Sequence, residues 1–293
     1  MADLSYGYHA VAFLDILGQQ NEWKEEEGLP ENKEEFDILL KKLRRTIGFI
    51  DELRKQLKAT SEIMSGESEF QSKLSEPIKS EFKRLKNSDV IIQTFSDSFV
   101  VSASLRITKD VPVPINGLRE ILFGSALTQI YTLARKHVMR GGITVSTGIR
   151  MPEGKEIYGP ALNEAYLLEK DIADYPRIVI GNGVMDYLNE CLNVSGDSKE
   201  DKLTKLFAER CKSIITLDED GVPILDFLCK EIVDLTKNLP ASADGKEILV
   251  LVKEHITEQL NYWKNLRDEK LISRYERLMK YFNSRVEPHL KIK

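Results

Sequence analysis

The chain has 293 residues, 42% of them hydrophobic and 30% charged, with a formal net charge of −5. That length and apolar content suit one large domain, or a domain with an appendage. The mild acidity argues against broad nucleic-acid binding, which needs a concentrated basic surface.

In chain order, residues 8–18 read as a strand, with the apolar run Val11-Ala12-Phe13-Leu14-Asp15-Ile16-Leu17 closed by Gly18. Residues 20–34 are polar, carry Gly28 and Pro30, and read as a loop. From Lys33 to Leu57 apolar residues recur at three and four, which predicts a helix with one buried stripe. The Ser/Glu-rich stretch 59–76 reads as a mobile connection or weak helix, and 78–86 as a short helix. Residues 89–104 predict a hairpin turning at Phe95-Ser96-Asp97-Ser98. A helix is expected over 115–138, then a strand from Arg140 through the pair Gly141-Gly142 to Gly148. A helix beginning near Pro160 runs to 173, since proline suits a first helical turn. A buried strand follows at Arg177–Ile180, then helices at 184–194 and 200–212, and a terminal hairpin over 213–227. Residues 230–293 are helical and highly charged, with a stripe from Leu249 to Tyr281 that predicts packing on the domain or on a second subunit.

The order β-α-β-β-α-β, then α-β and a hairpin, predicts an α+β fold of the ferredoxin-like, palm type: an antiparallel sheet backed by helices. The expected division is a domain at 1–229, with a helical insertion at about 31–88, and a helical extension at 230–293. Cys191, Cys211 and Cys229 are odd in number and widely spaced, so neither a disulfide framework nor a zinc pattern fits. A reducing, cytoplasmic setting is the expectation. His9, His137, His255 and His289 have no metal-ligand spacing and read as structural or exposed. There is no basic-then-apolar leader and no run near the roughly 20 apolar residues of a membrane span.

Asp15 and Asp97 are the informative residues. Each sits in a strand-like apolar run, where a carboxylate is costly unless compensated. A divalent metal compensates both at once, and two carboxylates plus substrate phosphates are a usual way to hold Mg²⁺.

Four segments occur in an order that resembles the class III nucleotidyl cyclase superfamily. They are Phe13-Leu14-Asp15-Ile16-Leu17-Gly18, Thr94-Phe95-Ser96-Asp97-Ser98-Phe99, Arg140-Gly141-Gly142-Ile143, and Glu156-Ile157-Tyr158-Gly159-Pro160-Ala161-Leu162-Asn163-Glu164-Ala165. The resemblance covers roughly residues 8–228. Within the superfamily the Tyr158–Tyr166 wording looks most like the pyrimidine cyclases of Pycsar antiphage systems. The resemblance implies a homodimer that converts UTP or CTP to cUMP or cCMP, whose product acts on a separate effector. It implies two divalent ions, Mn²⁺ or Mg²⁺, held by Asp15, Asp97 and the backbone carbonyl of Ile16. Asn163 matches the asparagine that orients the ribose, and Arg140 matches a strand-initial arginine that contacts phosphate. Gln93 and Glu156 fall where adenylate cyclases carry a base-reading lysine and aspartate. That pair departs from both the adenine and the guanine pattern, and a glutamine amide suits uracil or cytosine. Leu167 stands where the family has a transition-state arginine. Lys170 is the candidate substitute, with Arg177 and Lys212 behind it. Each site of the dimer is expected to take its aspartates from one subunit and Gln93, Glu156 and Asn163 from the other. A conventional adenylate or guanylate cyclase, and a catalytically silent nucleotide-binding relative, are the alternative readings.

Overall fold

The computed structural model describes residues 5–18, 28–65, 75–76, 80, 88–106, 115–151, 156–236 and 245–286. Alternation builds the first strand, β1 (Ser5–Leu17). Ala10, Ala12, Leu14 and Ile16 point into the main core, while Val11 and Phe13 point to the opposite face. The long helix α1 (Lys33–Ser65) follows, then β2 (Val90–Phe95) and β3 (Ser98–Arg106). Next come α2 (Asn116–Ala134), β4 (Val138–Arg150), the two-residue β5 (Ile157–Tyr158) and α3 (Pro160–Leu167). A π-helical turn, Leu168–Ile172, continues α3. The second half holds β6 (Ile178–Ile180), α4 (Asn182–Leu192), α5 (Lys199–Ser213), β7 (Ile215–Leu217) and β8 (Pro223–Leu225). The chain then runs through α6 (Lys230–Leu235), α7 (Gly245–Leu266) and α8 (Glu269–Val286).

The eight-stranded sheet has the order β2-β3-β1-β4-β6-β8-β7, with β5 on β4. Its first four strands are wholly antiparallel, and β4 with β6 is parallel. The order 2-3-1-4 is the split βαβ arrangement expected from the sequence. The protein is therefore α+β, with helices covering the sheet. On one face, Leu14, Phe99, Val101 and Ile143 join α1 and α2 in a single large core. On the other, Val11, Val100, Ile157, Ala161 and Ala165 form a smaller cluster under α3.

Several expected boundaries move. Helix α1 continues to Ser65, into the stretch expected as a mobile connection or weak helix, where Thr60 is buried and Ser61 Oγ donates to Glu120 at 2.7 Å. The helix expected to 138 ends at Ala134, where Lys136 takes φ +64° and the chain turns into β4. A left-handed residue cannot continue a right-handed helix. The short helix expected at 78–86 falls almost wholly outside the described residues. The C-terminal helices pack on the domain: Ile248, Leu249, Val252, Ile256 and Leu278 belong to the main core. Among the described residues no helix is long and apolar enough to cross a membrane.

Candidate active site

Cross-strand register assembles the site. Phe95, Ser98, Asp15 and Arg140 are successive partners across β2, β3, β1 and β4. Two residues along the strands, Gln93, Val100, Phe13 and Gly142 form the next row on that face. Residues directly opposite one another share a face, and alternate residues return to it. Asp15, Arg140 and Gln93 therefore lie on the face that α3 covers.

Asp97 arrives by a different route. The β2–β3 turn has two residues, and Ser96 takes φ +56°, the sign that tight hairpins demand at this position. The Ile16 N–H donates to the Asp97 carbonyl at 3.1 Å, which fastens the turn to the end of β1. Ser98 Oγ donates to Asp15 Oδ1 at 2.7 Å. Burial holds the Asp15 carboxyl above the usual carboxylate range. The Ser98 hydrogen bond pulls it back, the Asp97 charge raises it further, and the Arg140 charge opposes that. The Asp97 charge is close enough to bear on Asp15, and Ser98 and Arg140 compensate the Asp15 carboxylate only in part. Hard oxygen donors in that state fit Mg²⁺ or Mn²⁺. The Ile16 carbonyl lies between them in sequence at the same strand end. Among the described residues no group of three or more His, Cys, Asp or Glu side chains forms a metal cage. Two carboxylates and a carbonyl leave positions for water and phosphate oxygens.

Arg140 is engaged within the chain. Its Nη2 lies 2.5 Å from Glu169 Oε1, with both side chains largely buried. Burial raises the Glu169 carboxyl, the Arg140 charge lowers it, and the Asp15 charge raises it. Sequence reasoning missed Glu169. The available signal was its place four residues after Ala165 and eight after Ala161, a spacing that extends the buried side of α3 into the turn that follows it. Ser98 was missed as a site residue too; its position opposite Asp15 follows only from the register.

Helix α3 starts at Gly159, whose φ of +107° suits glycine, with Pro160 in the first turn. Ala161 and Ala165 are fully buried, which turns Asn163 and Leu167 outward. Glu164 fastens the helix to β4 by accepting from Thr144 Oγ1 at 3.1 Å and Ser146 Oγ at 2.9 Å. The exposed Lys170 holds its Nζ 5.4 Å from the Tyr166 ring centre, and Tyr166 meets the Phe13 ring edge-on at 5.4 Å. Glu156 is half-buried and accepts from the Tyr158 hydroxyl at 2.8 Å. Its neighbour Ile157 packs in the cluster of Val100, the cross-strand partner of Gln93. One chain thus brings Asp15, Ile16, the Asp97 turn and Arg140 to one strand end, while Gln93, expected to serve the aspartates of the other copy, shares the sheet face two strands away on β2. The chain leaves Asn163 exposed on α3 and Lys170 exposed on the π turn after it. Arg177 is buried elsewhere, paired to Asp218 and Asp220, and Lys212 donates to Asn189 Oδ1.

No protein-family description matches the sequence, and no curated protein is significantly similar to it. Two solved structures are similar in shape. A class III adenylyl cyclase-like ATP-binding protein from Pseudomonas aeruginosa is 13% identical, with a TM-score of 0.39 over 72% of this chain and 40% of that one. The adenylyl cyclase CyaB from P. aeruginosa is 13% identical, with a TM-score of 0.34 over 76% of this chain and 93% of that one. This chain therefore spans less than half the length of the first.

Proposed function

We propose that the chain is a divalent-metal-dependent nucleotidyl cyclase that converts a pyrimidine nucleoside triphosphate, UTP ahead of CTP, to its 3′,5′-cyclic monophosphate and pyrophosphate. The observation that carries this reading is that Asp15, cross-strand partner of Arg140, meets the Asp97 turn at the end of β1, through the Ile16 N–H to the Asp97 carbonyl and Ser98 Oγ to Asp15 Oδ1. When bound there, a divalent ion supplies charge neutralisation for the triphosphate and activation of the ribose 3′-hydroxyl. The chain supplies positioning. Asp15, Asp97 and the Ile16 carbonyl hold the cation, and Arg140 offers a guanidinium to phosphate oxygens. Gln93 offers a donor and an acceptor to the base without adding charge, which supports a pyrimidine.

Asn163 and Leu167 are exposed on α3, and Lys170 is exposed on the π turn that follows it. This supports a homodimer in which the ribose-orienting Asn163 of one copy serves the aspartates of the other. Lys170 is then the cation placed to replace the arginine missing at Leu167. The cyclic product is proposed to act on a separate effector, as in antiphage signalling. Leu167 also favours a second reading, a silent nucleotide-binding relative, because a stabiliser of developing phosphate charge is typically worth ~2–4 kcal/mol.

The test incubates the protein separately with ATP, GTP, CTP and UTP plus Mn²⁺ and detects cyclic products by mass, with Asp97→Ala alongside. Cyclic UMP or CMP lost in the variant is the expected result. Cyclic AMP or GMP would overturn the base assignment. Binding without any product would favour the silent relative.

A further inference from the structure

The Arg140–Glu169 pair is built with care. Glu169 is only 4% exposed, and it lies in a π-helical turn rather than on regular helix. Such turns are rare overall and frequent at functional sites. The turn reaches β4 because residue 142 is glycine: a Cβ there would run into the Ala165 carbonyl oxygen, and would lie 2.5 Å from Leu168 Cβ and 2.9 Å from Glu169 N. The far end of the turn is also held. Arg177 Nη2 donates to the Ile172 carbonyl at 2.8 Å, and Asp174 pairs with Arg274 at 3.1 Å and Arg277 at 3.4 Å. A buried ion pair is often no more stable than an apolar pair of the same volume. Stability alone therefore gives little reason for a carboxylate at 169.

We propose that Glu169 is a positioning residue: it fixes the Arg140 guanidinium beside Asp15, and its charge weakens ground-state binding of the triphosphate that Arg140 meets. This rests on the cyclase reading above. Glu169 acts through Arg140 and through its field, and touches no reacting atom.

A purely structural Glu169 and a positioning Glu169 differ in the split between kcat and KM. Glu169→Gln keeps the shape and removes the charge. Expected are a kcat about tenfold or more below wild type and a KM that is lower where ground-state strain is relieved, or unchanged where only transition-state positioning is lost. A non-cyclisable probe, 3′-deoxy-UTP with Mn²⁺, is expected to bind Glu169→Gln at least as tightly as wild type by calorimetry. Glu169→Asp, which keeps the charge on a shorter arm, is expected to lose less kcat and to bind the probe like wild type. Folded Glu169→Gln with wild-type kcat and KM overturns the proposal, as does a raised KM at unchanged kcat. If Glu169→Gln does not fold, Glu169→Asp decides, and wild-type kcat in it overturns the proposal. If wild type makes no cyclic product from any of the four nucleotides, the cyclase reading fails on its own. Probe binding then decides: tighter binding in Glu169→Gln upholds Glu169 beside an anion site, and equal or weaker binding, or none, overturns it.

Discussion

Gly142→Ala and Gly48→Ala make the same chemical change with opposite expected signs. At Gly142 the added methyl meets the Ala165 carbonyl oxygen, Leu168 Cβ and the Glu169 nitrogen. Two of these three are backbone atoms, which cannot rotate away, so α3 and the π turn must lift from β4. Overpacking of this kind costs typically ~1–3 kcal/mol, and the backbone contacts put Gly142→Ala at about 3 kcal/mol. Its melting temperature should fall by about 5–10 °C. Gly48 lies inside α1 with nothing within 4 Å of its Cβ position. Alanine there should stabilise by about 0.5–1 kcal/mol through helix propensity alone. Urea midpoints and thermal scans on both variants measure the pair. Cyclic-product assays on the same samples should show Gly142→Ala impaired beyond its loss of folded protein, because Glu169 moves with the turn. If Gly142→Ala melts with wild type, α3 does not sit against β4 as described, and the reasoning about the Arg140–Glu169 pair fails with it.

His255 is buried in α7 with neither ring nitrogen hydrogen-bonded, and burial pushes it down to about 4, with Glu258 opposing and His137 and Lys136 adding to the fall. The unfolded chain then binds the proton that the folded chain refuses, so stability is lost as pH falls from about 6.5 to 4. The loss is about 3 kcal/mol at most, and His255→Leu should remove it in urea titrations at pH 7 and pH 4. The Tyr281 hydroxyl donates to the buried Asp226 at 2.7 Å. Tyr281→Phe should therefore cost about 1–3 kcal/mol by leaving that oxygen short of a donor, read by denaturant midpoint. Lys170→Ala should lower kcat about 100-fold, and Leu167→Arg placed on that background should restore much of it, read by pyrophosphate release.

Residues with local causes were legible in the sequence. Apolar runs marked β1 and β3, the glycine pair led into β4, and the cost of a carboxylate in such runs marked Asp15 and Asp97. Spacing in 33–57 marked the first helix. What depends on distant chain was hidden. Periodicity says that α7 has an apolar face, but not that Ile248 and Val252 join the core that α2 fills. Lys136 carries no hint of its φ of +64°. The π turn needs one extra residue per turn, which no helical pattern announces. Nor could Arg177 be read as the partner of Asp218 and Asp220, because that pairing is made by β7 and β8 folding back on β6. It reads in isolation as a spare cation near the site, and in the fold it is committed elsewhere.

Helix α8 closes that same cluster: Arg277 pairs with Asp218, Asp220 and Asp174, and Lys280 pairs with Glu219. During synthesis the chain emerges at about 5–20 residues per second, and its N-terminal parts begin folding first. The sheet through β8 can pair early, yet Asp218 then lacks its second cation and Asp174 lacks both of its partners. Completion of the segment beneath the π turn therefore waits for residues about a hundred positions downstream of Asp174. Contacts so distant in sequence are slow to form. A nascent chain stalled before α8 should remain a protease-sensitive intermediate in the β6 region, while β1 to β4 are already protected.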